Sequence, residues 1–467
     1  MGQNVLVSNL SAQPLSPLDG RYRAQVKDLG NYLSEAGLNR ARIQVEIEWL
    51  IWLADKDLLN TSSKVSDEEK AALRSLATNF SDQDVEELAK IEATTRHDVK
   101  AVEYFIRTAL ERLGRNDLSE LVHFACTSED INNLSYALTV SEAVSSVWLP
   151  RARDLSNKLS RIAGELKDVP MLSRTHGQPA TPTTMGKEIA VFAHRINRQL
   201  SRIENQKYLG KFSGATGTFA AHIAAAPEVD WANESKSFVE HLGLEWNPLT
   251  TQIESHDWQA ELYQAISHAN RILHNLATDI WTYISLNYFK QIPVAGATGS
   301  STMPHKVNPI RFENAEANLE LSCAILDSLS QTLVTSRLQR DLTDSSAQRN
   351  IGVGFGHSLL ALDNLIRGLD ELAINEAVML GDLMENWEVL GEAIQTAIRA
   401  DVARGLSQIS DPYALLKELT RGKRISEEDL LVFIKGLDIP DATKERLMAL
   451  KPDRYTGIAS KLTQFLS

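Results

Sequence analysis

Two apolar stripes constrain the fold of this 467-residue chain more than any other feature. After Thr181-Pro182, apolar residues recur at Met185, Ile189, Phe192, Ile196, Leu200 and Ile203, a spacing that lines one face of a helix. A second run, Leu262, Ile266, Ala269, Leu273, Leu276, Ile280 and Tyr283, keeps the coiled-coil period over about three heptads. Helices of that length exceed the usual three or four turns. A narrow seam on each predicts near-parallel packing in a long bundle, within or between subunits. Period-two alternation is scarce, so the chain is expected to be all-α. It should divide into an N-terminal helical domain at 1–116, a central long-helix bundle domain at 117–370 and a C-terminal helical domain at 371–467.

Local signals mark where helices begin. Ser66 with Glu69 and Ser81 with Asp84 stand at capping-box spacing. Thr181-Pro182 reads as an N-cap followed by proline at the first helical position. The first 25 residues are expected to form an irregular arm ending in the turn-like SPLDGRY. A formal net charge of −13 argues against general nucleic-acid binding, although a locally basic pocket can still take a small anion. No run of about 18 apolar residues occurs, nor a basic-then-apolar leader. Cys126 and Cys323 stand far apart, so a cytoplasmic protein with reduced thiols is expected.

Four polar segments interrupt the helical pattern. TTRHDVKAVEYF carries His97 and Asp98 at a helix start, and HFACTSEDINNLSYAL sets Thr127 and Asp130 at capping-box spacing. LSRTHGQPATPTTMGKEIA holds Arg174, His176 and Gln178; GATGSSTMPHKVNPIRFENAE runs from glycines and serines into a helix-like second half. Helix N-termini carry unpaired N–H groups and attract carboxylates and phosphates. Taken singly, each reads as a well-capped helix before it reads as a site. His176 has no apolar periodicity around it to bury it, so an acid–base role stands beside a structural one. His97 ranks behind it, and His123, His194 and His268, on helical patterns, further behind. There is no HExxH, paired-cysteine or EF-hand spacing and no GxxxxGK[ST] or GxGxxG loop. No metal or cofactor is expected, and side chains must run any chemistry.

GSSTMPHKVNP, at 299–309, resembles the signature of the fumarase/aspartase superfamily, and TSEDINN and RTHGQPATPTTMGKE are similar to two of its other regions. SPLDGRY, HDVKAVEYF, HFACTSEDINNLS, AAAPEVDW, WNPLTTQIE, SRLQRDLTDSSAQRNIGVG and LKELTRGKR look like the enterobacterial-type branch that cleaves adenylosuccinate. The resemblance runs from about residue 16 to the C-terminus. It implies elimination of fumarate from adenylosuccinate, leaving AMP, and from succinylaminoimidazolecarboxamide ribotide (SAICAR), leaving AICAR. It assigns the base to Ser300 and the acid to His176; the residues alone leave Ser300 and Ser301 open. Lys306 and Asn308, with Thr127 and Ser128, would stabilise the aci-carboxylate that forms when the carbon beside it loses a proton. The nucleotide end falls to Arg21, Tyr22, Arg340, Ser345, Ser346, Ala347, Gln348 and Arg349, with Arg96, His97, Asp98, Gln252 and Asn314 lining the pocket. A glycine-rich lid carrying its own base fits the composition of 296–302.

The same resemblance implies a homotetramer whose active sites each draw on three subunits. Arg96, Ala297 and Ser255 depart from the Asn, Glu and Pro of relatives, which leaves fine specificity open. Superfamily lyases acting on argininosuccinate, aspartate or malate remain alternatives, as does a catalytically silent helical scaffold. Intact Ser300, Lys306, Asn308 and His176 argue against the last.

Overall fold

Both predicted stripes are buried helix faces. In the computed structural model, which describes residues 14–293, 303, 306–420 and 425–466, Met185–Glu204 and Asp257–Ser285 form helices of 20 and 29 residues. Every stripe residue on the first is buried, and on the second only Tyr283, near the end, is partly exposed. Ile310–Thr332 and Ile351–Asp370 add helices of 23 and 20 residues. Strand among the described residues is confined to three two-stranded sheets. The all-α expectation holds.

The described chain divides into two compact units, each discontinuous in sequence. The first comprises 1–152, 199–271 and 317–363; the second comprises 153–198, 272–316 and 364–467. In the first unit, helix Glu35–Asp55 is buried around most of its circumference, with Arg40, Gln44, Glu48 and Trp52 along one partly exposed edge. Trp49 lies at its centre, with ring centroids 4.5 Å from Phe212, 5.0 Å from Phe238 and 6.4 Å from Trp231. Burying each such ring contributes about 2–3 kcal/mol. Two charged residues on the same helix, Arg42 and Glu46, are also buried. Burying charge without a partner is prohibitive, so both must be paired, and they are paired at the site described below. The predicted caps form: Ser66 and Glu69 close a capping box, and Asp84 accepts the Ser81 N–H at 2.8 Å.

The second unit corrects one expectation. Thr181-Pro182 does not open a helix: Gln178–Thr184 is a strand, paired antiparallel with Pro170–Thr175, and the helix begins at Met185. The turn residues explain the difference. His176 and Gly177 both have positive φ, +52° and +74°, as a two-residue type I′ hairpin requires. A two-stranded sheet consists only of edges, so Pro179 and Pro182 need give up no interior ladder bond. The helix then starts tightly against its neighbour: a Cβ on Gly186 would lie 2.3 Å from the Ala163 carbonyl and 2.4 Å from the Lys167 nitrogen. The C-terminal helices of this unit close over their own core, in which Trp387, Leu390, Ile394, Ile398, Leu430, Ile434 and Leu447 are buried.

Candidate active site

The site is built on two helix starts in the first unit. Helix Asp98–Arg112 is capped by His97, whose Nδ1 accepts the Lys100 N–H at 3.2 Å. Nε2 of the neutral ring therefore carries the proton and remains a donor. Helix Ser128–Ala143 is capped by Thr127. The turn leading to it is bent through left-handed backbone at His123 and Ala125, φ +58° and +57°. His123, expected on a helix, stands in this turn instead. Non-glycine residues occupy that region only at a cost, and here the surroundings meet it. Trp49 Nε1 holds the Phe124 carbonyl at 3.1 Å. The Glu46 carboxylate takes the His123 N–H at 3.0 Å and pairs with Nδ1 at 2.6 Å.

Burial alone would drive the His123 pKa down. Glu46 outweighs it, aided by Glu103 Oε1 at 3.9 Å and by Asp130, and holds the pKa above the usual histidine value. The stabilisation from this pair is complete below the unfolded value near 6.5 and is lost as pH rises through the higher folded value. We therefore expect the wild-type melting temperature to fall from about pH 6.5 upward. His123→Gln should remove that part of the slope, as a series of thermal melts across pH would register; parallel slopes would refute it.

A second loop is tied to the same helix. Asp130, fully buried, accepts the N–H groups of Thr127 at 2.8 Å, Ser213 at 2.8 Å and Gly214 at 3.1 Å. Lys211, equally buried, lies 2.8 Å from the same carboxylate and also bonds the Gly214 carbonyl. Gly217, with φ +75°, completes the turn where a Cβ would lie 2.3 Å from the Thr250 carbonyl. Ala215 and Thr216 thus line a cavity of about 600 Å³ together with His97, Asp98, Thr127, Ser128, Asn132, Gln252, Arg340, Asp341 and Ser345. That volume suits a nucleotide-sized ligand.

One chain of polar side chains links lining residues Asp98, Asn132 and Arg340 through Arg42 and Glu129 behind them. Asp98 pairs with Arg42 at 2.8 Å, Arg42 Nε donates to Asn132 at 2.9 Å, and Asn132 donates to Glu129 at 2.8 Å. Glu129 pairs with Arg340 at 2.9 Å. Burial pushes the Asp98 carboxyl up, but Arg42 and the Val99 N–H more than offset it, so Asp98 stays below the ordinary value. Asp98 therefore stays ionised at neutral pH, and the chain of pairs ties it to Arg340.

Seven predicted residues meet in this cavity: His97, Asp98, Thr127, Ser128, Gln252, Arg340 and Ser345. Gln252 donates to the Ala215 carbonyl at 3.0 Å and accepts from Arg340 at 3.4 Å. Arg349 reaches Asp98 at 3.3 Å and pairs with Glu35; with buried Gln348 it lines a separate cavity of about 30 Å³. Ser346 is exposed, Ala347 partly so. Arg21 and Tyr22 immediately precede helix Arg23–Leu33, the guanidinium 5.8 Å from the ring. Arg96 is exposed at the left-handed C-cap of Asp82–Thr95. Neither Arg21, Arg96 nor Arg349 lines the large cavity.

The second unit carries the others. His176 is exposed at the hairpin tip, and the hairpin is tied down by Arg174, which bonds Asp382 at 2.6 Å. Lys306 is exposed, and the buried Oδ1 of Asn308 has no partner among the described residues. Asn314 accepts from Asn364 at 2.9 Å. Ser300, Ser301 and Ala297 lie outside the described residues. Sequence reasoning missed Arg42, Glu129, Asn132, Lys211, His256 and Asp344. For Arg42 the available signal was charge inside an otherwise apolar helical run, ARIQVEIEWL; Lys211 and His256 lie outside helices and carry no such signal.

Residues 20–323 match the family described as Lyase, and residues 336–456 match the one described as Adenylosuccinate lyase C-terminal. The adenylosuccinate lyase of Haemophilus influenzae is 47% identical over 462 residues, 99% of this chain and 100% of that one. The chain belongs to the adenylosuccinate lyase family. The Escherichia coli member is 48% identical over 454 residues, 97% of this chain and 98% of its own. A fumarate lyase structure from a Mesorhizobium species superposes with a TM-score of 0.74 at 17% identity, covering 94% of this chain and 97% of that one; it bears on the fold alone. Family membership favours this branch over the argininosuccinate, aspartate and malate alternatives.

Proposed function

We propose that the chain is a carbon–nitrogen lyase that eliminates fumarate from adenylosuccinate, leaving AMP, and from SAICAR, leaving AICAR. The carrying observation is the ≈600 Å³ cavity that joins two helix N-termini to Arg340. A substrate with a phosphate at one end and carboxylates at the other needs that pairing of anion sites. On this reading Ser300 takes the proton from the succinyl carbon beside a carboxylate. The electron pair left behind is drawn into that carboxylate, which Thr127, Ser128, Lys306 and Asn308 stabilise. The carbon–nitrogen bond then breaks, His176 gives a proton to the departing nitrogen, and fumarate is released.

Arg340, Ser345 and Gln252 hold the nucleotide end, with His97 and Asp98 along the wall. His176, Lys306, Asn308 and Asn314 belong to the second unit, whereas the cavity belongs to the first. A homotetramer with shared sites and the three-domain organisation at 1–116, 117–370 and 371–467 belong to the same reading. No described helix is long and apolar enough to cross a membrane; the enzyme is proposed to work in the cytoplasm, in purine synthesis.

The deciding assay mixes purified protein with adenylosuccinate and follows the ultraviolet change as the purine loses its succinyl group. AMP and fumarate should appear in equal amounts. Inertness toward adenylosuccinate and SAICAR would overturn the reading.

A further inference from the structure

Arg340 is anchored on one side and left open on the other. Nη1 pairs with Glu129 at 2.9 Å, and Nε donates to the Asp341 carbonyl at 3.3 Å. Nη2 faces Asp344 Oδ1 at 3.8 Å, beyond hydrogen-bond reach. A buried carboxylate that close to a guanidinium would normally close into a bidentate pair. Something holds it back.

The restraint comes from behind. His256, 1% exposed, sets Nε2 at 3.3 Å from Asp344 Oδ2, while the Ser345 N–H donates to Oδ1 at 2.7 Å. The tautomer follows from the next bonds. Tyr263 donates its hydroxyl to Gln259 Oε1 at 3.0 Å, which turns the Gln259 amide so that Nε2 faces His256 Nδ1 at 3.2 Å. With Nδ1 accepting, the neutral ring carries its proton on Nε2 and donates it to Asp344. The ring is held at left-handed backbone, φ +59°, by the Glu254 carboxylate on its N–H at 2.8 Å. Burial raises the Asp344 carboxyl pKa, yet His256 and Arg340 outweigh it, so Asp344 remains an anion.

We propose that His256 is a positioning residue for Arg340: by holding Asp344 it keeps the Nη2 edge of the guanidinium free for the phosphate of the nucleotide. This rests on the reading that Arg340 binds that phosphate. Without the ring's donor, Asp344 closes onto Arg340 and competes with the ligand. The effect falls on nucleotide affinity and not on the elimination step.

The test compares His256→Leu with His256→Gln, whose amide nitrogen extends about as far as imidazole Nε2. In His256→Leu, the KM for adenylosuccinate and the Ki for AMP should rise about tenfold, with kcat and the Ki for fumarate within about threefold. His256→Gln should restore both values to near wild type. Unchanged AMP inhibition in His256→Leu, or equal impairment in the two variants, overturns the proposal. If circular dichroism shows His256→Leu unfolded, His256→Asn, whose amide is too short to reach Asp344, replaces it with the same two outcomes. Wild-type protein that neither turns over adenylosuccinate nor binds AMP would sink the proposed function instead; active wild type with an unresponsive His256→Leu sinks this inference alone.

Discussion

His176→Ala is expected to lower kcat for adenylosuccinate cleavage by ~10²–10⁴-fold, the usual contribution of a positioned acid or base. The side chain is exposed at a hairpin tip, and the turn depends on backbone conformation rather than on the imidazole. The melting temperature should therefore stay within about a degree of wild type. Steady-state kinetics at saturating substrate, paired with a thermal melt, separates the two effects. Near-normal turnover would remove His176 from the mechanism, and Ser300→Ala tests the base in the same way. If a site takes His176 and Ser300 from different subunits, mixing the two inactive variants through reversible dissociation regenerates some intact sites. Recovery of activity on mixing supports shared sites; persistent inactivity argues against that division.

The largest expected loss of stability is at Lys211. Lys211→Met leaves the Asp130 carboxylate buried without its counter-ion, which costs about 3–5 kcal/mol. Both groups are fully buried, so solvent cannot take the ammonium's place. The damage should reach function as well, because Asp130 holds Thr127 and the 213–214 backbone that shapes the cavity. A melting temperature lower by several degrees and a raised KM are expected together. Pairing Lys211→Met with Asp130→Asn should return part of the stability, since the second change removes the stranded charge. A Lys211→Met protein as stable as wild type would show that the backbone N–H groups suffice alone.

How much of this was legible in advance follows from what each signal depends on. The long helices could be read because their apolar period is local, and burial of Met185 through Ile203 needed no knowledge of the partner surface. The caps at Ser66 and Thr127 were equally local. Thr181-Pro182 misled because a cap-like dipeptide is also compatible with an edge strand. The deciding feature was the left-handed pair His176-Gly177 just upstream, a turn that only strand pairing reveals.

For the site, sequence determined the inventory: the signature segment, His97 with Asp98, Thr127 with Ser128, and the arginine-bearing stretch around Arg340. Resemblance supplied their roles. Tertiary structure alone decided which of them share a cavity, and that Arg340 rather than Arg21, Arg96 or Arg349 forms part of its wall. It also exposed the buried chain from Asp98 through Arg42, Asn132 and Glu129 to Arg340, with Asp344 and His256 beyond. The reason is physical. Apolar periodicity is written along one helix, whereas the partner of a buried charge lies on another element, and no spacing within the sequence records the distance between them.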